Sequence, residues 1–259
     1  MRLLVDFLCR FGWGLSAALV ITPAALVPAG FFRVNLLVVL GLATFAALLA
    51  GRMPPTVAWP LPAAAAVTAW LGSIAWFAER VPAGRAFCAG TAILMAAATA
   101  LVHAGTGWTA TAAGSTAAAL LSGLVTGLTV HAMLLGHWYL NAPGMRVDVL
   151  RRMIDAALLA WAVQLAATVS LAALQPGHPL SPAALVAAAP IPAAAVGQTT
   201  VALLWLRWLA GLVGLPVLLW LARKTLEIPN TQSATGILYV ACLAAILGEL
   251  TAQLLTAPS

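Results

Sequence analysis

The longest stretch without a charged side chain decides the fold. Residues 86–145 read AFCAGTAILMAAATALVHAGTGWTATAAGSTAAALLSGLVTGLTVHAMLLGHWYLNAPGM, with no Asp, Glu, Lys or Arg. A helix needs about 20 apolar residues to cross the hydrocarbon core of a bilayer, so this stretch predicts two consecutive spans. The glycine- and threonine-rich sequence 105–115 marks the break between them. The two spans are predicted at 86–103 and 116–140.

The same segmentation, applied to the whole chain, predicts about eight transmembrane helices. The remaining charge-poor windows place spans at 11–31, 34–51, 61–78, 150–174, 198–221 and 236–256. The first of them lacks the layout of a cleaved signal peptide, so we expect it to stay as a span. The chain is therefore predicted to be all-α, a polytopic membrane helical bundle forming a single domain over 1–259.

Composition excludes the other broad classes of protein. Of the 259 residues, 63% are hydrophobic and 7% charged, and the mean hydropathy is +1.04. Soluble domains are about one quarter charged, and so few charges cannot cover a water-exposed surface. The net charge of +6 comes from single or paired basic residues between apolar runs, which argues against nucleic-acid binding. Nucleotide-binding, zinc-protease and serine-hydrolase motifs are missing from the sequence, and we predict no metal site.

The basic residues of the loops predict the orientation. One side of an eight-span chain carries eight of them, whereas the other side carries three: Arg33, Arg80, Arg85, Arg146, Arg151, Arg152, Arg223 and Lys224 against Arg2, Arg10 and Arg52. Positively charged loops stay in the cytoplasm, so both termini are predicted outside. The preference for Arg over Lys and the abundance of Ala are typical of a GC-rich bacterial genome. We therefore expect the inner (cytoplasmic) membrane of a bacterium, with the lipid bilayer as the main partner.

Two charged residues fall inside predicted spans. Arg207 lies about 14 Å into the seventh span, and Glu249 lies about 10 Å from the end of the eighth. Their depths match and consecutive helices tend to be neighbours, so we predict an ion pair between them. Gln253 continues the polar stripe one turn after Glu249. Such a pair either fixes helix packing or belongs to a path for protons or ions or to a site for a polar headgroup.

A histidine on the fifth span is expected inside the bundle. His131 lies one turn beyond Gly123 and Gly127, whose spacing predicts close packing against another helix. Two histidines can hold haem b only at equal depth, and His103 differs from His131 by about two helical turns. A hydrogen-bonded core histidine is therefore favoured over a haem ligand. Haem b and quinone nevertheless stay open as cofactors.

The sixth span contributes two further polar candidates. Asp155 follows Arg151 and Arg152 at spacings that allow an ion pair within the helix, which predicts a local structural role. Gln164 lies deeper and, together with Trp161, is expected to line a pocket. The segment 175–197, rich in Pro and Ala, is interpreted as a surface connector in preference to a re-entrant helix.

Three functions remain open from the sequence. The first is a quinone- or proton-handling membrane subunit of a redox or energy-converting assembly, with other membrane subunits as partners. The second is a small permease or transporter, for which charges inside the membrane and interrupted helices are equally natural. The third is an assembly subunit without chemistry of its own. Whether the protein is an enzyme stays undecided.

Overall fold

The computed structural model confirms an all-α, multi-pass architecture. It describes residues 1–53, 59–105, 107, 109–142, 146–173, 198–228 and 230–256. Within these residues, eight helices are long and apolar enough to cross a membrane. The segment 175–197, for which a surface connector was predicted, lies outside the described residues.

The helices follow one another as eight spans, which we number in chain order. Their bounds are α1 Arg2–Ile21, α2 Ala29–Ala50, α3 Pro60–Phe77, α4 Val81–Ala104, α5 Ala110–Asn141, α6 Val147–Ala173, α7 198–225 and α8 Thr231–Thr256. Because the number of spans among the described residues is even, α1 begins on the side of the bundle where α8 ends. We call this side the terminal side and the other the opposite side. The guanidinium of Arg2 at the start of α1 donates to the carbonyl of Val102 near the end of α4, as this alternation requires.

The first helix begins and ends earlier than predicted. The prediction of a span over 11–31 is wrong, because α1 covers Arg2–Ile21 and contains both Asp6 and Arg10. These two charges were taken as a boundary, but they pair with each other four residues apart and therefore fit inside a helix. The helix ends at Thr22, which has an extended backbone and precedes Pro23. The next helix begins directly after Pro28.

Glycines bring α1 and α5 into backbone contact. A Cβ atom on Gly127 would lie 2.1 Å from the carbonyl carbon of Gly14, and one on Gly123 would lie 2.4 Å from the carbonyl oxygen of Arg10. No larger residue fits either position at this helix separation. The predicted packing face of Gly123 and Gly127 is thus confirmed, and α1 is its partner.

The seventh span changes its helical form at Arg207. It continues from Gln198–Leu206 into a π-helical segment, Arg207–Gly214, and returns to an α-helix at Leu215–Thr225. A Cβ atom on Gly214 would lie 2.2 Å from the carbonyl oxygen of Leu209, so the wide turn needs glycine there. Pro216 follows at once and has no N–H to donate to a regular α-helix. The same segment brings Gly211 against Gly248 of α8, where a Cβ on Gly248 would lie 2.7 Å from the Gly211 Cα.

On the opposite side, ion pairs and a helix cap stabilise the helix ends. Asp155 pairs with Arg223 of α7 at 2.7 Å, in place of the predicted pairing with its own helix neighbours. Helix periodicity alone cannot reveal such a partner 68 residues away. Lys224 hydrogen-bonds Glu227 and thereby lowers the pKa of that carboxyl. Asn230 caps α8 by accepting from the backbone N–H of Ser233.

The orientation in the membrane stays a prediction with a direct test. A reporter that is active only in the cytoplasm should be inactive when fused after residue 259 and active when inserted within 141–149, since the basic loops hold the latter inside. The reverse pattern of activity would invert the topology.

Candidate functional site

A group of buried and partly buried, hydrogen-bonded polar side chains joins four helices on the terminal side. We call this group the Glu249 network. Its members are Asp6 and Arg10 of α1, His103 of α4, Ser122 of α5, and Glu249 and Gln253 of α8. Ionisable groups are costly at membrane depth, and where they occur they face the bundle interior and bind one another.

The carboxylate of Glu249 is the junction of the network. Its Oε1 lies 2.8 Å from Nη1 of Arg10 and accepts from Nε2 of Gln253 at 3.1 Å, while Oε2 accepts from the hydroxyl of Ser122. Both carboxylate oxygens are therefore engaged. The ion-pair partner of Glu249 is Arg10, not the predicted Arg207.

Sequence reasoning missed Arg10 because it assigned the residue to the region before the first span. One signal was available: Asp6 and Arg10 are four residues apart, which puts them on one helix face and lets each compensate the charge of the other. The structure shows this pair, buried at the contact of α1 with α4 and α5.

Arg207 lies next to the network without being the ion-pair partner of its carboxylate. The Nη1 atom donates to the carbonyl oxygen of Gly248 at 3.3 Å, and the side chain is buried. Arg207 and Glu249 line the same cavity. The expected contact of α7 with α8 at this depth is therefore correct, and only the partner of Glu249 differs from the prediction.

His103 has two competing partners for one ring nitrogen. Its Nε2 lies 3.1 Å from Oδ1 of Asp6 and 3.0 Å from Nη2 of Arg10. An unprotonated Nε2 accepts from the guanidinium, whereas a protonated Nε2 donates to the carboxylate, so only one bond can form at a time. Whether Nε2 carries a hydrogen thus decides which residue of α1 His103 binds.

A cavity lies between α5, α6, α7 and α8, directly beside Glu249. Its polar lining comes from all four helices: Ser122, Thr126, Trp161, Gln164, Thr168, Arg207 and Glu249. The prediction that Trp161 and Gln164 line a pocket is confirmed. The indole of Trp161 is held by a hydrogen bond to the carbonyl of Gly211 at 3.3 Å.

His131 belongs to a different part of the core. The ring is fully buried, its Nε2 lies 2.7 Å from the hydroxyl of Thr22, and Phe31 packs edge-on against it. The Nε2 atoms of His131 and His103 are thus engaged by different groups. A haem held by this pair would have to displace both sets of contacts. Within the described residues, no cluster of three or more His, Cys, Asp or Glu side chains is suited to a metal ion.

Comparison with known proteins assigns no family to these contacts. No protein-family model, curated protein or solved structure matches the chain. The functional argument therefore rests on the side chains themselves: a buried carboxylate, a histidine that can exchange partners, and a polar cavity inside a membrane bundle.

Proposed function

We propose that this protein handles protons inside the membrane, with Glu249 as the group that accepts and releases them. It acts as the membrane subunit of a redox or energy-converting assembly. The observation that supports this proposal is the hydrogen-bonded connection from His103 through Asp6 and Arg10 to Glu249, which ends at a cavity. A purely structural ion pair needs neither a chain of this length nor a cavity at its end.

Along this connection the side chain of His103 is the most exposed and that of Glu249 the least. His103, in the last turn of α4, is 18% exposed, Asp6 7%, Arg10 12% and Glu249 6%. In this proposal protons enter from the terminal side at His103, the most exposed side chain of the connection. The deepest acid of the network is also the one at the cavity.

Arg10 holds the two carboxylates on its two Nη atoms without relaying protons itself, because a guanidinium stays protonated in proteins. In this proposal the proton passes from Asp6 to Glu249 through water beside the guanidinium. When Glu249 takes up a proton, Arg10 keeps its bond to Asp6 and the network gains one positive charge. Release of the proton from Glu249 to a group in the cavity restores the balance. The cavity is thus the place at which the proton leaves this carboxylate.

Proton uptake into vesicles tests the proposal. The protein is reconstituted with a pH-sensitive dye inside, and a potassium gradient with valinomycin drives protons inwards. The Glu249→Gln variant, which keeps the size and hydrogen-bonding capacity of the side chain, is expected to reduce the rate by about tenfold or more. Glu79→Gln is the matched control, since Glu79 lies exposed between α3 and α4.

Two results would contradict the proposal. One is a wild-type protein that conducts no better than empty vesicles, and the other is a Glu249→Gln variant with the wild-type rate. Restoration of the rate by Glu249→Asp would separate a loss of the titratable group from a loss of folding.

The second candidate is a small permease, which the cavity and the π-helical break in α7 favour. A permease moves protons only together with its solute, whereas the proposed subunit takes them up without one. Proton uptake by vesicles that contain no solute therefore distinguishes the two functions.

A further inference from the structure

The geometry points to the cavity between α5 and α8 as the binding site of a quinone-type ligand, that is, a neutral ring with carbonyl oxygens and an apolar tail; this assignment rests on the proposed proton function and names its reaction partner. A quinone is dissolved in the membrane; it takes up two protons when a redox subunit of the proposed assembly gives it two electrons, and it releases them when that subunit takes the electrons back. A carboxylate beside the quinone site can therefore supply or accept these protons.

Access to the cavity comes from the lipid. Within the described residues, the contact between α6 and α7 lies mainly at Leu215–Thr225, on the opposite side. The π-helical part of α7 makes much less contact with α6. Nearer the terminal side, both helices turn large apolar side chains outward: Leu159 and Val163 on α6, and Trp205 and Leu209 on α7. A lipid-soluble molecule can reach the cavity between these two helices with its tail left in the bilayer.

The lining residues provide hydrogen-bond donors and an aromatic surface for a ring with carbonyl groups. Arg207 and Gln164 supply hydrogen-bond donors from two different helices, which suits a ring with more than one carbonyl oxygen. The Trp161 indole supplies an aromatic surface fixed by its bond to Gly211. Leucine and valine side chains form most of the apolar wall: Val125, Leu165, Leu212 and Leu215.

The charges around the cavity favour a neutral ligand over an anion. Arg10 and Arg207 carry two positive charges, and Asp6 and Glu249 carry two negative charges, so the site is balanced while His103 is neutral. An added anion would leave a net charge in a low-dielectric interior, which is costly, and it would face the carboxylate of Glu249. A neutral quinone keeps the balance.

Equilibrium binding of radiolabelled decyl-ubiquinone to the detergent-purified full chain tests the assignment. Saturable binding with one site per chain is expected. Thr168→Trp fills the cavity and should weaken binding about tenfold or more, whereas Val169→Trp, the next residue on the exposed side of α6, should leave it unchanged. Gln164→Leu removes one neutral donor and should weaken binding about three- to tenfold. The exposed Gln232→Leu is its control.

The competing outcomes are separable. Binding that does not saturate, or that is equal in Thr168→Trp and Val169→Trp, overturns the site. Decanoate, an anion with a comparable tail, should compete at least about tenfold less well than unlabelled decyl-ubiquinone, and better competition by decanoate overturns the assignment to a neutral ligand. Quinone binding without proton uptake into vesicles would refute the proton function alone. Proton uptake without quinone binding would refute the ligand alone.

Discussion

Replacing Arg10 by Met is expected to destabilise the detergent-purified protein by about 3–5 kcal/mol, the usual cost of leaving a buried charge without its partner. Arg10 forms ion pairs with both Asp6 and Glu249, and both carboxylates are nearly inaccessible to solvent. His103 can still compensate Asp6 once it is protonated, but Glu249 keeps only neutral hydrogen-bond donors, Ser122 and Gln253, and the nearby charge of Arg207. The measurement is the free energy of unfolding in a denaturing-detergent titration.

Double variants identify the partner of Glu249. The pair Arg10→Met with Glu249→Leu should recover much of the loss, because a buried ion pair can be replaced by apolar side chains at little cost. The pair Arg207→Met with Glu249→Leu should recover less. Arg52→Met, at an exposed position, is the control for removal of a positive charge. A larger recovery with Arg207 than with Arg10 would show that the contacts of Glu249 are assigned wrongly.

Replacing Gly127 by Ala is expected to cost about 3 kcal/mol or more, at or above the upper end of the usual range for overpacking. The added methyl group would meet backbone atoms of α1, 2.1 Å from the Gly14 carbonyl carbon and 2.3 Å from the Leu15 nitrogen, and a backbone cannot move aside as a side chain can. The two helices must separate. Because Arg10 lies one turn from Gly14 on α1, the same separation draws its guanidinium away from Glu249. The stability and the yield of folded protein report the effect.

Gly90→Ala is the matched control for this change. A Cβ atom on Gly90 meets nothing within 4 Å, so the substitution only improves helix propensity and should stabilise the protein by up to about 1 kcal/mol. Equal effects of the two substitutions, in size and sign, would contradict the close approach of α1 and α5.

The eight spans were predictable because each needs only length and apolar composition. The residues at helix contacts and at the cavity were predictable only where helix periodicity places them on one face, as for Gly123 and Gly127 or for Trp161 and Gln164. The partner of Glu249 was not, since Arg10 lies 239 residues away and nothing local relates the two. The rule that charges mark span ends also moved the start of α1 beyond Asp6 and Arg10.

The π-helical segment of α7 illustrates a second limit. Gly214 and Pro216 fit its geometry, yet the same two residues are equally compatible with a simple bend. The depth of Arg207 in the membrane, estimated from the sequence, correctly placed this residue beside α8. The wide turn, however, changes the direction in which a side chain leaves the helix, and an estimate from the regular rise per residue does not include it.

The pairing of Asp6 with Arg10 also has a consequence for biosynthesis. The first helix leaves the ribosome long before the residues that complete its contacts, His103 and Glu249, exist. Within α1, however, the acid and the base are one turn apart and neutralise each other, so the nascent helix can enter the lipid as an uncharged unit. Glu249 has no cation on its own helix. Its charge is paired only when α8 packs against α1, which carries Arg10 and was inserted seven spans earlier. The buried charges therefore all have their partners only after α8 has been synthesised and has packed against α1.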